Sequence, residues 1–262
     1  MTYFFHIGFD GGRYKGWQFQ PNLRTVQGMI EDTLQQIFKS EIRVEGCGRT
    51  DAGVHASQYI FHIHLEIEFD FNLKFRMNKN LPDDIVIYDI LEMKDKEHAR
   101  YDATWRTYDY FIHLKKNPFL RKYSSYYEFK NLDFKAMKRA AELFMKYDDF
   151  KAVCKQPDLY NHTRCQVTHA RLFVDQKQER LRFTITANRF LRGMIRLCVY
   201  FLLEVGRGRM SLEEFEDRLA NKRGGFKRSA FPDGLFLSKI EYPYLKIENK
   251  SELFQLLKTD LE

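Results

Sequence analysis

The sequence predicts an α+β fold made of two similar halves, each with a mainly antiparallel sheet that helices cover on one face. The order strand, helix, strand, strand occurs in both halves. The strand segments alternate apolar and polar residues, whereas the helical segments carry apolar stripes. We place the halves at residues 1–105 and 106–262, and we see no long linker, low-complexity tract or tandem repeat in the chain.

The first half opens with an aromatic-rich strand over residues 2–9, which ends at the turn-forming residues Asp10-Gly11-Gly12. Thr25 is a suitable N-cap for an amphipathic helix over residues 26–39. Alternation over residues 59–67 puts His62 and His64 on the face opposite Phe61 and Ile63, which is typical of a half-buried strand. Further elements are predicted at residues 42–44 (strand), 72–80 (short helix) and 85–91 (strand).

The second half opens with a strand within residues 101–114. Asp133 is placed to cap a helix over residues 133–146, and Ser211 with Glu214 forms a capping box that begins another helix. Gly206 follows a predicted helix over residues 189–205, and glycine is favoured just after a helix. The remaining predicted elements are a hairpin of residues 170–174 and 181–187, and a strand over residues 235–240.

The chain has 262 residues, and its 43 lysines and arginines against 36 aspartates and glutamates give a net charge of +7. This favours an anionic partner such as nucleic acid, although a protein that binds no anion stays an equal alternative. No apolar run approaches the ~20 residues that span a bilayer. The N-terminus lacks a basic n-region, so we expect a cytoplasmic protein without a membrane partner. The four cysteines form no C-x-x-C pair, which indicates reduced structural thiols.

The segment most informative about chemistry is Gly46–Ala56, which holds three glycines and lies between two predicted strands. Its carboxylate is Asp51, and Arg49 precedes it by two residues. A carboxylate near guanidinium groups stays ionised, which suits a nucleophile better than a general acid. The alternative is an aspartate–arginine pair that only fixes a glycine-rich turn.

This segment resembles the signature loop of the tRNA pseudouridine synthase A family over Gly48–Ala56 (GRTDAGVHA). Residues 229–233 depart from the family, which often has T-A-P-A before the glycine, and residues 154–166 match poorly. Motifs that match in order, and together cover nearly the whole chain, are Asp10–Gln20, Asn80–Ile85, His98–Arg100, Thr107–Tyr110, Phe190–Arg196, Gly234–Leu237 and Tyr242-Pro243.

The resemblance implies an enzyme that isomerises uridine to pseudouridine in the tRNA anticodon stem-loop, at nucleotides 38, 39 and 40. It also implies no cofactor, no metal and no required protein partner. Asp51 falls on the position of the family's aspartate nucleophile. Whether that carboxylate attacks the base or the sugar C1′ stays open. The target uridine must first leave its stack.

Three further positions carry site roles by the same resemblance. Arg49 falls on an arginine that helps hold the flipped nucleotide, with a purely structural ion pair as the alternative. Tyr108 falls on the active-site tyrosine, although a tyrosine on an alternating strand is more often core. Arg196 falls on the basic residue thought to pair with the aspartate. Because Arg196 lies in an apolar helix, burying its charge without a partner would cost free energy, and Asp51 is the candidate partner. The alternative is that Arg196 lies at the surface.

Other candidates are weaker. Tyr14, Lys15 and Trp17 are possible RNA contacts, with Trp17 equally suited to the core. His62 and His64 resemble two metal ligands, but no third ligand is evident and we expect no metal site. Basic clusters that would suit phosphates are Lys115-Lys116, Arg121-Lys122, Arg207 with Arg209, and Lys222-Arg223 through Lys227-Arg228, each of which is individually more typical of a solvated surface.

By resemblance we also expect a homodimer, and we expect the two halves to flank a basic cleft. Two other functions stay open as alternatives. One is a non-catalytic RNA-binding protein or RNA chaperone on the same scaffold, in which Asp51 would be dispensable. The other is an aspartate-dependent N-glycoside hydrolase, which would release free uracil.

Overall fold

A computed structural model describes residues 1–66, 69–94, 96–222 and 228–261 of the chain. The chain folds as two compact units, Met1–Thr104 with Phe236–Glu252 and Trp105–Leu235 with Leu253–Glu262. The segment Phe236–Glu252, which we assigned to the second half, therefore belongs to the first unit. The reason is strand pairing, because Phe236 and Leu237 pair with His55 and Ala56.

The bounds of the regular elements follow chain order. The strands are β1 (Thr2–Phe9), β2 (Glu45–Gly46), β3 (His55–His64), β4 (Ile85–Met93), β5 (Trp105–His113), β6 (Ser125–Tyr126), β7 (Val167–Val174), β8 (Arg180–Ala187) and β9 (Leu235–Glu241). The helices are α1 (Val26–Phe38), α2 (Leu73–Asn80), α3 (Phe134–Leu143), α4 (Met194–Gly206), α5 (Leu212–Ala220) and α6 (Glu252–Lys258).

The first unit is built on the strand order β4-β1-β3-β9. β1 is antiparallel to both β3 and β4, β2 is antiparallel to β3, and β9 is parallel to β3. Phe5 and Phe61 are cross-strand partners whose rings stack at 4.6 Å. A slip of one residue would move this apolar pair to the other face, so the pair specifies the register.

The predicted helices of this unit are confirmed, and their caps explain where they begin. The Thr25 side chain accepts the backbone N–H of Gly28 at the start of α1, whose apolar stripe buries Val26, Ile30 and Leu34. The Asn72 side chain accepts the backbone N–H of Phe75 at the start of α2. Each cap satisfies one of the backbone donors that a helix N-terminus leaves unpaired.

Two strand predictions in this unit were wrong in detail. β3 is not half-buried, because Ala99 and Tyr242 cover the face that His62 occupies, and His62 is only 1% exposed. Residues 42–44 form no strand, because the backbone N–H of Val44 donates to the Glu31 carboxylate instead of to a ladder. Ile67, the predicted end of β3, lies outside the described residues.

The second unit has the strand order β5-β8-β7, in which neighbouring strands are antiparallel. The short strand β6 also pairs with β5, in parallel. The core of this unit includes a cluster of phenylalanine rings from α4, α5, β8 and the residue that follows α3, with centroid separations of 5.5–6.0 Å. The predicted hairpin, the Asp133 cap of α3 and the Ser211–Glu214 capping box of α5 are all confirmed.

The helix predicted over residues 189–205 begins later, at Met194. Gly193 adopts the left-handed conformation (φ +69°), which interrupts a right-handed helix, so α4 begins only after this residue. Gly206 is the last helical residue rather than the first after the helix.

These elements confirm the α+β class. Among the described residues, no helix is both long and apolar enough to cross a membrane.

Candidate active site

The loop that holds Asp51 is fixed by an earlier segment of the same unit. The Trp17 backbone N–H donates to the Thr50 carbonyl (3.3 Å), and the Gly53 N–H donates to the Tyr14 carbonyl (3.2 Å). Gly16 has φ +94°, and a Cβ there would lie 2.5 Å from the Thr50 carbonyl oxygen. The two backbones can approach this closely only because residue 16 has no side chain.

Aromatic side chains form a firm support beneath the loop. Trp17 and Tyr59 are buried and stack at 4.1 Å, and the Tyr59 hydroxyl donates to the Gly48 carbonyl (2.5 Å). Trp17 is therefore a core residue. The contact between Tyr59 and Gly48 was not evident in the sequence, although tyrosine on a buried strand needs a partner for its hydroxyl.

Tyr14 is also buried, and its hydroxyl donates to Asp84. Burial and this carboxylate raise the pKa of Tyr14 to about 12. Of the three weaker candidates in this segment, only Lys15 is exposed.

His55 is a further support that the sequence analysis did not identify. Its ring is 1% exposed, stacks on Phe236 at 4.7 Å, and accepts the backbone N–H of Gly11 through Nδ1 (3.1 Å). A Cβ on Gly11 would lie 1.9 Å from the Val54 carbonyl oxygen. The conformation of residues 51–55 thus depends on residues 11–17, far away in the sequence.

On this support, Asp51 is half-buried and Arg49 is exposed, with buried Thr50 between them. A groove of about 640 Å³ opens beside Gly48 and Arg49, and its lining includes Arg43, Arg100 and Tyr101. The groove lining also includes the acidic residues Glu31, Asp32, Glu41 and Glu45. The loop thus places a carboxylate and a guanidinium group two residues apart at the protein surface.

Tyr108 and Arg196 lie in the second unit. Tyr108 is on β5 opposite Ile185, is 8% exposed, and meets the ring of Phe190 edge-on at 5.0 Å. Phe190 directly precedes the turn into α4, so β5 and this turn are brought together. The contact between Phe190 and Tyr108 was not evident from the sequence.

Arg196 lies in the first turn of α4 and is neither fully exposed nor fully buried. Its Nε donates to the Ala230 carbonyl (2.7 Å), and the Ala230 N–H donates back to the Arg196 carbonyl (2.9 Å). The departure from the family motif at residues 229–233 therefore lies directly against this arginine.

Two tyrosine hydroxyls hold the same segment. The Tyr110 hydroxyl donates to the Phe231 carbonyl (2.7 Å), and the Phe231 N–H donates to the Tyr127 hydroxyl (3.1 Å). Burial raises the pKa of both tyrosines, so both stay neutral at physiological pH. The segment that carries Ala230 is thus fixed by side chains from β5 and the residue after β6.

The first unit contains a cluster of histidines. From the sequence, only His62 and His64 were considered as possible metal ligands. Glu45, His62 and His98 bring potential ligand atoms within 4.8 Å of one another. However, His98 Nδ1 accepts the backbone N–H groups of Arg100 (3.0 Å) and Tyr101 (3.3 Å), so its proton lies on Nε2, which donates to Glu45 (3.1 Å). In a metal-bound histidine, one ring nitrogen binds the metal and the other donates its N–H, whereas Nδ1 of His98 accepts N–H groups. This pattern favours a hydrogen-bonded cluster over a metal centre.

Comparisons with known proteins identify the family. A family model described as tRNA pseudouridine synthase matches residues 140–243. The tRNA pseudouridine synthase A of Bacteroides thetaiotaomicron is 38% identical over 246 residues, which cover 93% of this chain and 91% of that protein. That of Porphyromonas gingivalis is 37% identical, covering 92% and 97%. This chain belongs to the tRNA pseudouridine synthase A family. It is therefore an enzyme, an isomerase that forms pseudouridine.

The pseudouridine synthase family relationship extends over both units of the chain. The enzyme of Hydrogenobaculum is 36% identical over 250 residues, covering 92% of this chain and 99% of that protein. The region matched by the family model includes Arg196 and Ala230. Asp51, Arg49 and Tyr108 lie outside that region.

Proposed function

We propose that this enzyme converts uridine to pseudouridine in the tRNA anticodon stem-loop, at nucleotides 38, 39 and 40, with Asp51 as nucleophile and without a cofactor. The observation that carries the proposal is the Asp51 loop, in which a half-buried carboxylate sits on backbone fixed by Gly16, Trp17 and Tyr59. A nucleophile must be held in a reactive orientation, and such support provides it.

The reaction is an isomerisation, so its atoms and electrons balance within the substrate. The N1–C1′ bond breaks, the base rotates, and a C5–C1′ bond forms. The proton on C5 leaves, and N1 gains one. Asp51 assists by adding either to C1′ or to the base, and it is released at the end in both routes. No oxidant, reductant or group donor enters this balance.

Other residues have proposed roles that follow from their chemistry. Arg49, exposed beside Asp51, holds the phosphate or base of the flipped nucleotide. Tyr108 stacks on the base, and its hydroxyl is suited to moving the C5 proton. Arg196 pairs with Asp51, a role that rests on the family resemblance. A homodimer in the cytoplasm, with tRNA as partner and no further protein, completes the proposal.

The test is to incubate the purified protein, without added metal or nucleotide, with unmodified tRNA transcripts carrying uridine in the lower anticodon stem. Carbodiimide-stop sequencing then maps pseudouridine, with Asp51→Asn and the exposed-carboxylate control Asp70→Asn alongside. We expect product at nucleotides 38–40 with the wild type and Asp70→Asn only. Tight binding without product would support a non-catalytic RNA-binding role, and free uracil would support an N-glycoside hydrolase.

A further inference from the structure

The loop between β5 and β6 displays the most exposed large apolar side chain among the described residues. Phe119 is 90% exposed, near the middle of the segment Lys115–Lys122, here named the basic loop. A phenylalanine ring left in water forgoes the favourable free energy of burying its apolar surface. A ring displayed in this way is well suited to a partner that covers it.

The charges of the basic loop indicate what that partner is. Lys115, Lys116, Arg121 and Lys122 are exposed, and the loop contains no acidic residue. Lys115 lies 3.4 Å from Glu179 across an exposed ion pair. A flat apolar ring among cations matches a nucleotide, whose base stacks on the ring while its phosphates meet the cations.

Hydrogen bonds order the basic loop and so fix the position of the ring. The Phe119 N–H donates to Asn117 Oδ1 (2.9 Å), and the Tyr123 and Ser124 N–H groups both donate to the Leu120 carbonyl (3.0 Å). At the base of the loop, His113 Nδ1 contacts Ser124 Oγ (3.0 Å). Since the turn is formed before binding, little conformational entropy is lost when a ligand covers the ring.

We propose that the basic loop binds an unpaired nucleotide of the RNA substrate, with the base stacked on Phe119 and the phosphates contacted by Lys116, Arg121 and Lys122. This inference rests on the proposed function. A second copy of the chain is the alternative occupant of the ring, and the test below separates it from RNA.

The basic loop is separate from the proposed catalytic residues. Tyr108 and Leu114 are six residues apart on and just beyond β5, which at 3.3 Å per residue is roughly 20 Å. Since the loop begins this far along β5 from Tyr108, the ring is assigned a nucleotide other than the one that reacts. Changes in the loop should weaken tRNA binding and raise KM, with the single-turnover rate at saturating enzyme unchanged.

The test compares Phe119→Ala, Phe119→Trp and the control Leu159→Ala, whose side chain is 69% exposed in the same unit. Filter binding measures the Kd of an unmodified tRNA transcript, and single-turnover assays measure pseudouridine formation. We expect Phe119→Ala to weaken binding about 5- to 150-fold, the range that loss of one base stack gives. Phe119→Trp should bind as the wild type, with tryptophan fluorescence quenched by tRNA beyond the wild-type signal.

A second variant tests the cations. Replacing Lys116, Arg121 and Lys122 together by Gln should reduce the slope of log Kd against log salt by about 2, since each unpaired-strand phosphate contact contributes roughly 0.7. Wild-type affinity in Phe119→Ala, or an unchanged slope in the triple variant, would overturn the proposal. So would dissociation of a dimer by Phe119→Ala in sedimentation velocity, which would assign the ring to a second copy. Failure of the proposed function would show differently, as absence of pseudouridine with the wild type.

Discussion

At the scale of single residues, the conformation of the Asp51 loop depends on positions that have no side chain. Gly11 and Gly16 lie where a Cβ would enter the backbone of residues 50–54. Neither glycine takes part in the proposed chemistry. Each is required because two backbones approach more closely than any other residue allows.

Gly16→Ala tests this dependence. The substitution adds a Cβ 2.5 Å from the Thr50 carbonyl oxygen at φ +94°, so the loop must shift. We expect about 1–3 kcal/mol of destabilisation and at least a tenfold loss of single-turnover rate. Chemical denaturation and single-turnover assays measure the two effects. Gly48→Ala is the stability control, because a Cβ there meets nothing within 4 Å; equal stability of the two variants would contradict this account.

His62 gives the first unit a predicted pH dependence of stability. The pKa of His62 is lowered to about 4 from 6.5 in an unfolded chain, and the largest cause of this shift is burial of the ring. Below pH 6.5 the unfolded chain therefore binds a proton that the folded chain does not, so stability falls as the pH drops from 6.5 to 4. The shift corresponds to about 3 kcal/mol.

Urea denaturation at several pH values measures this effect. Burial also lowers the pKa of His6, His113 and His169, so these side chains contribute to the same dependence. His62→Gln should therefore reduce the dependence between pH 6.5 and 4, and the control variant His64→Gln, at an exposed position, should reduce it less. The same slope in both variants would mean that His62 is not its source.

The sequence allowed Asp51 and Arg49 to be singled out because both lie within one short motif. It could not reveal Tyr59 beneath Gly48, His55 against Gly11, or Phe190 against Tyr108. Each of these contacts joins residues that are separated in the sequence or on different elements. Their side-chain types suit a core equally well, so only the packing distinguishes support of the site from general burial.

At the scale of elements, β5 serves two purposes on its two faces. Tyr108 and Tyr110 lie on one face, and Asp109 lies on the other, where its Oδ1 is 2.9 Å from Nε of Arg182 on β8. Both charged side chains are nearly inaccessible. Without Asp109, the Arg182 guanidinium would still donate to the Leu261 carbonyl (3.2 Å) but would lose its carboxylate partner in a buried position.

Asp109→Asn should therefore destabilise the protein by about 3–5 kcal/mol, measured by urea denaturation. The double replacement Asp109→Leu with Arg182→Met should recover most of this loss, because it removes both charges. For comparison, Glu179→Gln disrupts the exposed pair with Lys115 and should cost less than about 1 kcal/mol. A loss from Asp109→Asn as small as that from Glu179→Gln would refute the role of the buried pair.

The elements themselves were largely predictable, because caps and periodicity are local signals. Thr25, Asn72, Asp133 and Ser211 all cap the helices that follow them. The start of α4 was missed because the apolar pattern continues through residues 190–195 and does not reveal the left-handed conformation of Gly193. The burial of both faces of β3 was missed because its cover comes from residues much later in the chain.

At the scale of the whole molecule, the proposed site residues are divided between the two units of the chain. Asp51 and Arg49 belong to the first unit, and Tyr108 and Arg196 belong to the second. The assignment of Phe236–Glu252 to the first unit could not be predicted from element order, since parallel pairing of β9 with β3 joins distant segments. The pairing of Arg196 with Asp51 and the cleft between the halves stay predictions.

Arg196→Met tests the role of the second unit in catalysis. The variant keeps an unbranched side chain of similar length but loses the charge and the bond to the Ala230 carbonyl. We expect at least a hundredfold loss of single-turnover rate, and Arg196→Lys should restore part of it through its charge. If both variants retain wild-type kinetics, Arg196 does not act on the aspartate.

The central claim, that Asp51 is the nucleophile, is tested most directly by measuring tRNA affinity and single-turnover pseudouridine formation together in Asp51→Asn. Phosphate contacts supply most of the binding, so the Kd should stay within about tenfold of the wild type while product formation is abolished. Asp70→Asn should change neither quantity. More than a few per cent of wild-type activity in Asp51→Asn would contradict the claim.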